Sequence, residues 1–386
     1  MKILYHHRIA SKDGQYVHIE ELTHALQKLG HKIIMVGPQA MEKVTFGSVD
    51  GIVSLIKRYI PSVLYELLEF GYSLAAYHKL HKAVKMYRPD CLYERYSLYM
   101  PAGVWIKQRF RLPMLLEVNA PLFEERSRYG QIKLPWLARW SEEITWQGAD
   151  IVLPVTRVLA NRIIEKGVPE NRLKVIPNAV DLEKFNSAPA TEKAKRRLGL
   201  EGKVVLGFTG FMREWHQLER IVDILSNKKQ ANRHLLIVGD GPARRGVEQH
   251  AGNLGVSHRV TITGVVERDR IVQYVSAFDI ALQPAVVEYA SPLKLFEYLA
   301  LGKPVVAPDT PNIKEILQHE HNAILFDPME FNAFGKAVER VCSDSRLRER
   351  LSNAARVTIS DSDYTWDQNA RQVESLIARL TKSTDR

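Results

Sequence analysis

The chain has 386 residues, 45% hydrophobic and 25% charged, the composition of a soluble globular protein that is too long for one ordinary core and is expected as two domains. Its net charge of +10 calls for an anionic partner; phosphorylated substrates and an anionic membrane surface come ahead of nucleic acid, because the basic residues are spread out and no nucleic-acid motif accompanies them. No run of 18 apolar residues and no signal-peptide core occurs, Cys91 and Cys342 lie far apart in sequence, and the expectation is a cytoplasmic protein with no membrane span, disulfide framework or metal site.

In chain order, KILYHH predicts a strand, DGQYVHIEELTHALQKLG a turn and an amphipathic helix ending at Gly30, and HKIIMVGP a second strand. Gly14 falls in the turn at the carboxyl end of the first strand, where open parallel sheets bind ligands. His6, His7 and His18 flank that crevice and, lacking metal spacing, read as solvated loop histidines; His18 is retained as a candidate for positioning an acceptor.

Residues 55–88 form a helical tract in which Lys57, Arg58, Lys79, Lys82, Lys85 and Arg88 alternate with Tyr59, Leu64, Leu67, Tyr72 and Tyr77. Two readings fit it: an interfacial helix with lysines toward anionic lipid, and a helix packed on a sheet with a solvated basic back. DCLYER, PMLLEV and DIVLPV predict further strands. Helices follow through residue 109 and over WLARWSEEITWQGA and TRVLANRIIEKG, and NAPLFEERSRYG reads as a polar loop. The charged stretch 183–202 is read as the interdomain linker.

A second alternation then begins, with KVVLGFTG, HLLIVGDGP, RVTITG, DIALQP and PVVAP as buried strands and EWHQLERIVDILS as a helix. The expected class is α/β: two Rossmann-like doubly wound parallel-sheet domains, 1–182 and 203–362, facing a central cleft, and a C-terminal helix in 363–386 returning toward the first domain.

Residues 286–304, VVEYASPLKLFEYLALGKP, read as a loop that feeds a helix and then a strand. Pro292 fits the first helical turn and Ser291 the cap before it. Leu295, Phe296, Leu299 and Ala300 recur at helical spacing, and Gly302 and Pro304 stop the helix. Such a helix start suits a phosphate, and Glu297, within the next turns, offers a carboxylate to two ribose hydroxyls. An ordinary cap and a solvated glutamate are the alternative.

The opening DGQYVHIEELTHALQKLGHKIIMV, then VIPNAVDLEKF, FTGFMREWHQLE, LLIVGDGP, RVTITGVV and SPLKLFEYLALGKPVVA, in this order, resemble glycosyltransferase family 4 over nearly the whole chain. The resemblance implies the GT-B architecture and retaining transfer of a sugar from a UDP-sugar or GDP-sugar, without metal or other cofactor. The acceptor would be a polysaccharide, oligosaccharide or lipid-linked glycan in cell-envelope or exopolysaccharide synthesis, bound by the N-terminal domain while the C-terminal domain binds the donor. Peripheral contact with the inner face of the cytoplasmic membrane goes with a lipid-linked acceptor.

By position, Glu297 matches the second glutamate of the family's paired-glutamate motif, which holds the ribose. Gly239, Asp240 and Gly241 match the turn near the nucleotide. The helix start at Ser291, Pro292 and Leu293 matches the one facing the diphosphate, and Gly14 and Gly210 complete the donor-binding set. Three departures stand out: the first glutamate falls at Tyr289, with Glu288 one place off, the donor-phosphate arginine falls at Phe211, and its lysine falls at His216.

Without a metal, charge that develops on the leaving diphosphate must meet fixed cations and N–H groups. Arg213 is the substitute cation and Lys294 a second; His216 joins them if the diphosphate favours its protonated form. Asn119, in the loop where many family members place a histidine, is read as a sugar-positioning residue near Glu117, and Glu124 and Glu125 as acceptor-binding. No general base is assigned, since in a front-face mechanism the leaving phosphate takes the acceptor proton. A sugar-nucleotide-binding scaffold and an epimerase or hydrolase of the same architecture are the competing functions.

Overall fold

All ten strands that the alternation predicts are present, each parallel to its neighbours. The computed structural model describes residues 1–10, 14–38, 60–227 and 230–384. Lys57, Arg58 and Tyr59 of the basic tract lie outside the described residues. The chain divides into a first unit of Met1–Pro177, Tyr289–Ser291 and Trp366–Arg386 and a second of Asn178–Glu288 and Pro292–Thr365.

In the first unit β1 (Lys2–His6), β2 (Lys32–Val36), β3 (Cys91–Arg95), β4 (Met114–Val118) and β5 (Ile151–Pro154) align in the order β2-β1-β3-β4-β5. The order reverses between β1 and β3, and the crevice of a doubly wound sheet opens beyond the carboxyl ends of its strands at such a point. Helix α1 (Gly14–Lys28) buries Ile19, Leu22 and Leu26 at i, i+3 and i+7, one apolar stripe, and packs against the C-terminal helix Trp366–Thr384.

Among the described residues the remaining helices of this unit are α2 (Ser62–Tyr87), α3 (Ala102–Phe110), α4 (Leu122–Arg128), α5 (Pro135–Gly148) and α6 (Arg157–Glu165). Thr156 caps α6, its hydroxyl accepting from the Leu159 N–H at 3.1 Å. Helix α4 corrects the expected polar loop. It buries no residue, so periodicity gave no sign of it; acids in its first turn and the Glu124–Arg128 pair at 3.3 Å favour the helix instead.

In the second unit β6 (Val204–Thr209), β7 (Arg233–Val238), β8 (Val260–Ile262), β9 (Ile280–Leu282), β10 (Val305–Pro308) and β11 (Ala323–Phe326) align as β11-β10-β9-β6-β7-β8. This is the Rossmann order, with its reversal between β6 and β9. The edge strand β11 is an addition to the predicted set. Helices α7 (Leu182–Asn186), α8 (Thr191–Arg197), α9 (Glu219–Leu225), α10 (Arg244–Asn253), α11 (Arg268–Val275), α12 (Leu293–Ala300), α13 (Ala333–Ser343) and α14 (Ser345–Asp361) cover the two faces.

The stretch 183–202 is not an open linker. Most of α7 and all of α8 lie in it, Ala194 and Leu200 join the core of the second unit, and Lys195 pairs with Asp279 at 2.8 Å. Two buried apolar side chains hidden in a charged run account for the difference. Among the described residues no helix is long and apolar enough to cross a membrane.

Candidate functional site

The reversal between β6 and β9 brings the loop after β6 beside the chain that enters α12. The loops after β6 and β7 are joined backbone to backbone: the Gly210 N–H donates to the Val238 carbonyl at 2.9 Å and the Met212 N–H to the Asp240 carbonyl at 2.8 Å. This approach requires glycine. A Cβ on Gly239, whose φ is +145°, would stand 2.1 Å from the Gly210 oxygen, and one on Gly241 2.4 Å from the Met212 oxygen. Asp240 braces the same turn, one carboxylate oxygen accepting from the Gly241 N–H at 2.8 Å and the other lying 3.0 Å from Arg244.

Helix α12 starts one residue later than expected. Pro292 is its cap residue, with extended ψ of 118° and no side-chain cap, and Ser291 groups with the first unit. That ψ lies outside the helical range, so the helix begins after Pro292. The Leu293 and Lys294 amides that open α12 have no intrahelical acceptor, and the helix dipole makes this end favourable for an anion. The Tyr298 hydroxyl accepts from the Thr209 N–H at 2.8 Å and fixes α12 to the end of β6.

Lys294 projects from this helix start over Phe208, its Nζ 3.7 Å from the ring centroid and beside Gly210. Burial pushes its pKa down to about 7, against a smaller pull from Glu297. Arg213 stacks its guanidinium 4.5 Å from the Phe211 ring centroid and 5.3 Å from that of Trp215, a cation–π arrangement.

His216, the third expected cation, is neutral in the unliganded protein. Burial first, then Lys294 and Arg213, push its pKa down to about 2, and its Nδ1 accepts from the Arg213 N–H at 3.2 Å. Burial disfavours the charged imidazole, and the neighbouring cations add to that effect.

Glu297 is 8% exposed and lies 3.8 Å from Arg268, in a small pocket that Lys184, Phe185, Asp269, Ile271 and Val272 also line. A solvated surface glutamate is therefore excluded. Sequence reasoning passes over Arg268, because nothing in the run VERDRI marks which of its charges turns inward.

In the first unit the carboxyl ends of β3 and β4 carry Glu94 and Glu117, both buried. Glu94 lies 2.5 Å from His6 Nδ1. Glu117 is 3.0 Å from His18 Nε2, accepts from the Tyr93 hydroxyl at 2.9 Å and the Asn119 amide at 2.5 Å, and pairs with Arg95. Burial would raise its pKa, but His18, Arg95 and these hydrogen bonds outweigh burial and hold the carboxyl well below the ordinary range.

His6, His7 and His18 are thus buried groups, not solvated loop residues. His18 packs edge-on against Trp366 at 4.9 Å, and its place in this cluster departs from the expected role of positioning an acceptor. Asn119 is held by Glu117 at the end of β4. Gly14 is the first residue of α1, in the first unit. Glu124 pairs with Arg162 at 2.8 Å, and Glu125 hydrogen-bonds Tyr289, whose pKa burial and then Glu125 raise. A carboxylate at the end of an otherwise apolar strand, as in CLYER and MLLEV, was the available signal for Glu94 and Glu117.

Residues 12–184 match the family described as "Glycosyltransferase Family 4" and residues 190–358 the family described as "Glycosyl transferases group 1". The 2-deoxystreptamine glucosyltransferase of Streptomyces kanamyceticus is 27% identical over 228 residues, 58% of this chain and 59% of that protein. The first four curated relatives are matched over only 53% to 60% of their own length.

Among solved structures, sucrose-phosphate synthase from Thermosynechococcus elongatus superposes with a TM-score of 0.78 at 18% identity, over 99% of this chain and 100% of that one. Anabaena HepE in complex with UDP-glucose superposes with a TM-score of 0.74 at 18% identity, over 98% and 100%. At such identities the likeness is one of fold. The two family matches together reach from residue 12 to residue 358, and the chain belongs to glycosyltransferase family 4, with the two-domain GT-B fold.

Proposed function

We propose that the protein is a retaining glycosyltransferase that moves a sugar from a nucleotide-sugar donor to a glycan or lipid-linked acceptor in cell-envelope or exopolysaccharide synthesis. The observation that carries this reading is the convergence, at the carboxyl end of β6, of the α12 N-terminus, Lys294 and Arg213, with Glu297 one turn along α12. The helix start and the two cations suit a diphosphate, and Glu297 suits a ribose diol. HepE, solved with UDP-glucose, supports a UDP-sugar as the first donor to test, with GDP-sugars next.

In the reaction the glycosyl C1–O bond to the diphosphate breaks while the acceptor oxygen bonds C1 on the same face. The acceptor proton passes to the departing phosphate oxygen, and charge growing there meets Lys294, Arg213 and the α12 amides. Asn119, oriented by Glu117, is assigned to a sugar hydroxyl and Glu124 and Glu125 to the acceptor. With a lipid-linked acceptor the enzyme would work at the inner face of the cytoplasmic membrane.

Thermal stabilisation by a panel of UDP-, GDP- and ADP-sugars tests the reading, since a ligand at 100 times its Kd adds about 2.7 kcal/mol to folding. One clear hit, lost in Glu297→Ala, supports it. A hit without transfer to any acceptor would favour the scaffold, donor consumption without acceptor would favour an epimerase or hydrolase, and no hit at all would overturn donor binding.

A further inference from the structure

Both acids of α2 are turned inward and partnered. Glu66 is buried and accepts from the Tyr99 hydroxyl at 2.9 Å and the Leu134 N–H at 2.8 Å, while Glu69 pairs with Arg126 at 2.8 Å and Arg8 at 3.5 Å. The outer side of the helix, which a solvated helix would cover with mixed charge, begins instead with Val63, Leu64, Leu67, Leu68 and Leu74. Leu68 is 51% and Leu74 59% exposed.

Val63, Leu64, Leu67 and Leu68 recur at three- and four-residue spacing, and Leu74 follows Leu67 by two turns, on one face. Beyond Leu74 the exposed residues are Ala75, then His78, Lys79, Lys82 and Lys85, and last Met86 and Tyr87. Helix α5 extends the apolar half: the Trp140 ring lies 5.9 Å from Phe70 of α2, and Trp136, one turn earlier, is 67% exposed.

We propose that α2 and α5 form the surface by which this protein lies on an anionic lipid bilayer. The leucines and tryptophans enter the headgroup boundary and the lysines stand over lipid phosphates. The charge pattern selects this occupant: the exposed side of α2 carries lysines and no acid, so a second copy of the same face would bring no partner for them. The proposal deepens the lipid-linked part of the functional reading and does not depend on the donor site.

Vesicle flotation of the full chain tests it, with phosphatidylcholine alone and with added phosphatidylglycerol, at low and high salt. Flotation is expected only with phosphatidylglycerol, and less of it at high salt. Lys79→Gln, Lys82→Gln and Lys85→Gln together should weaken partitioning roughly a hundredfold, at about fivefold per lysine. Leu74→Ser with Trp136→Ser should abolish flotation at unchanged thermal midpoint; if that variant does not fold, the lysine variant and the salt dependence decide.

No flotation of the wild type, or equal flotation of the variants, overturns the proposal. A concentration-dependent dimer in gel filtration that the Leu74/Trp136 variant breaks, without flotation, makes the face a self-interface and overturns it equally. Nucleotide-sugar stabilisation measured without vesicles keeps the two readings apart, since flotation without it refutes the donor site and leaves the surface standing.

Discussion

The Lys294 ammonium stands 3.7 Å from the centroid of the Phe208 ring, at the start of α12 and beside Gly210. Two residues 86 positions apart in sequence therefore place a cation where a helix N-terminus already favours an anion.

That position sets a pH dependence. With a pKa of about 7, Lys294 is charged in the free protein below neutrality and loses its proton as pH rises through 7. A bound diphosphate favours the charged form and raises the pKa. Donor or nucleoside diphosphate affinity, measured by calorimetry, should thus be full on the acid side and fall by up to tenfold per pH unit above 7, until the pKa of the complex is reached. In Lys294→Arg, charged at all these pH values, that decline should be absent. Lys294→Ala should lose about 10² to 10³ in kcat/KM; wild-type turnover in it would remove Lys294 from the reaction.

Arg213→Ala should cost a similar ~10² to 10³ in rate if its guanidinium meets the leaving phosphate. Its neighbour His216 titrates near 2 and should contribute no limb to the pH–rate profile near neutrality. His216→Asn, which keeps an acceptor for the Arg213 N–H, should leave the profile's shape unchanged. A neutral-range limb that vanishes in this variant would show the imidazole to be charged during turnover.

Glu142 on α5 is buried, and burial raises its pKa to about 7 despite hydrogen bonds from the Phe123 N–H and the Tyr96 hydroxyl. The folded state then binds more protons than the unfolded chain between the ordinary value of 4.5 and about 7. Its stabilising contribution is full below 4.5 and is lost as pH rises through 7. The span corresponds to an effect on the order of 3 kcal/mol. Urea midpoints of the wild type should fall across this window, and those of Glu142→Gln should fall less.

Gly239→Ala should abolish nucleotide binding and lower the thermal midpoint, because its Cβ would meet the Gly210 carbonyl at 2.1 Å and strain at such φ costs about 1 to 3 kcal/mol. Gly130→Ala is the control. It also has positive φ, but no atom lies within 4 Å of the new Cβ, so nucleotide binding should survive. Equal binding by both variants would separate the two-loop junction from the donor site.

Legibility followed the range of the interactions. Alternating apolar runs and turn residues report local geometry, so β1 to β10 and the helices between them could be read directly. The short α4 escaped because it buries nothing, and α8 because its one buried apolar residue, Ala194, sits within a charged run. The helix at 293–300 was readable from Pro292, Gly302 and its apolar spacing, and Glu297 from the motif around it.

What the sequence by itself determined is therefore the parallel α/β architecture of both units and the anion-favouring helix start, since periodicity, turns and caps are set by neighbours along the chain. Only the tertiary structure decided the charge states and partners. It buried His18 and Glu94, gave Glu117 its hydrogen bonds, set Lys294 on Phe208, silenced His216 as a cation and turned the acids of α2 inward. Burial and charge proximity depend on residues far apart in the chain, brought together by the order of strands.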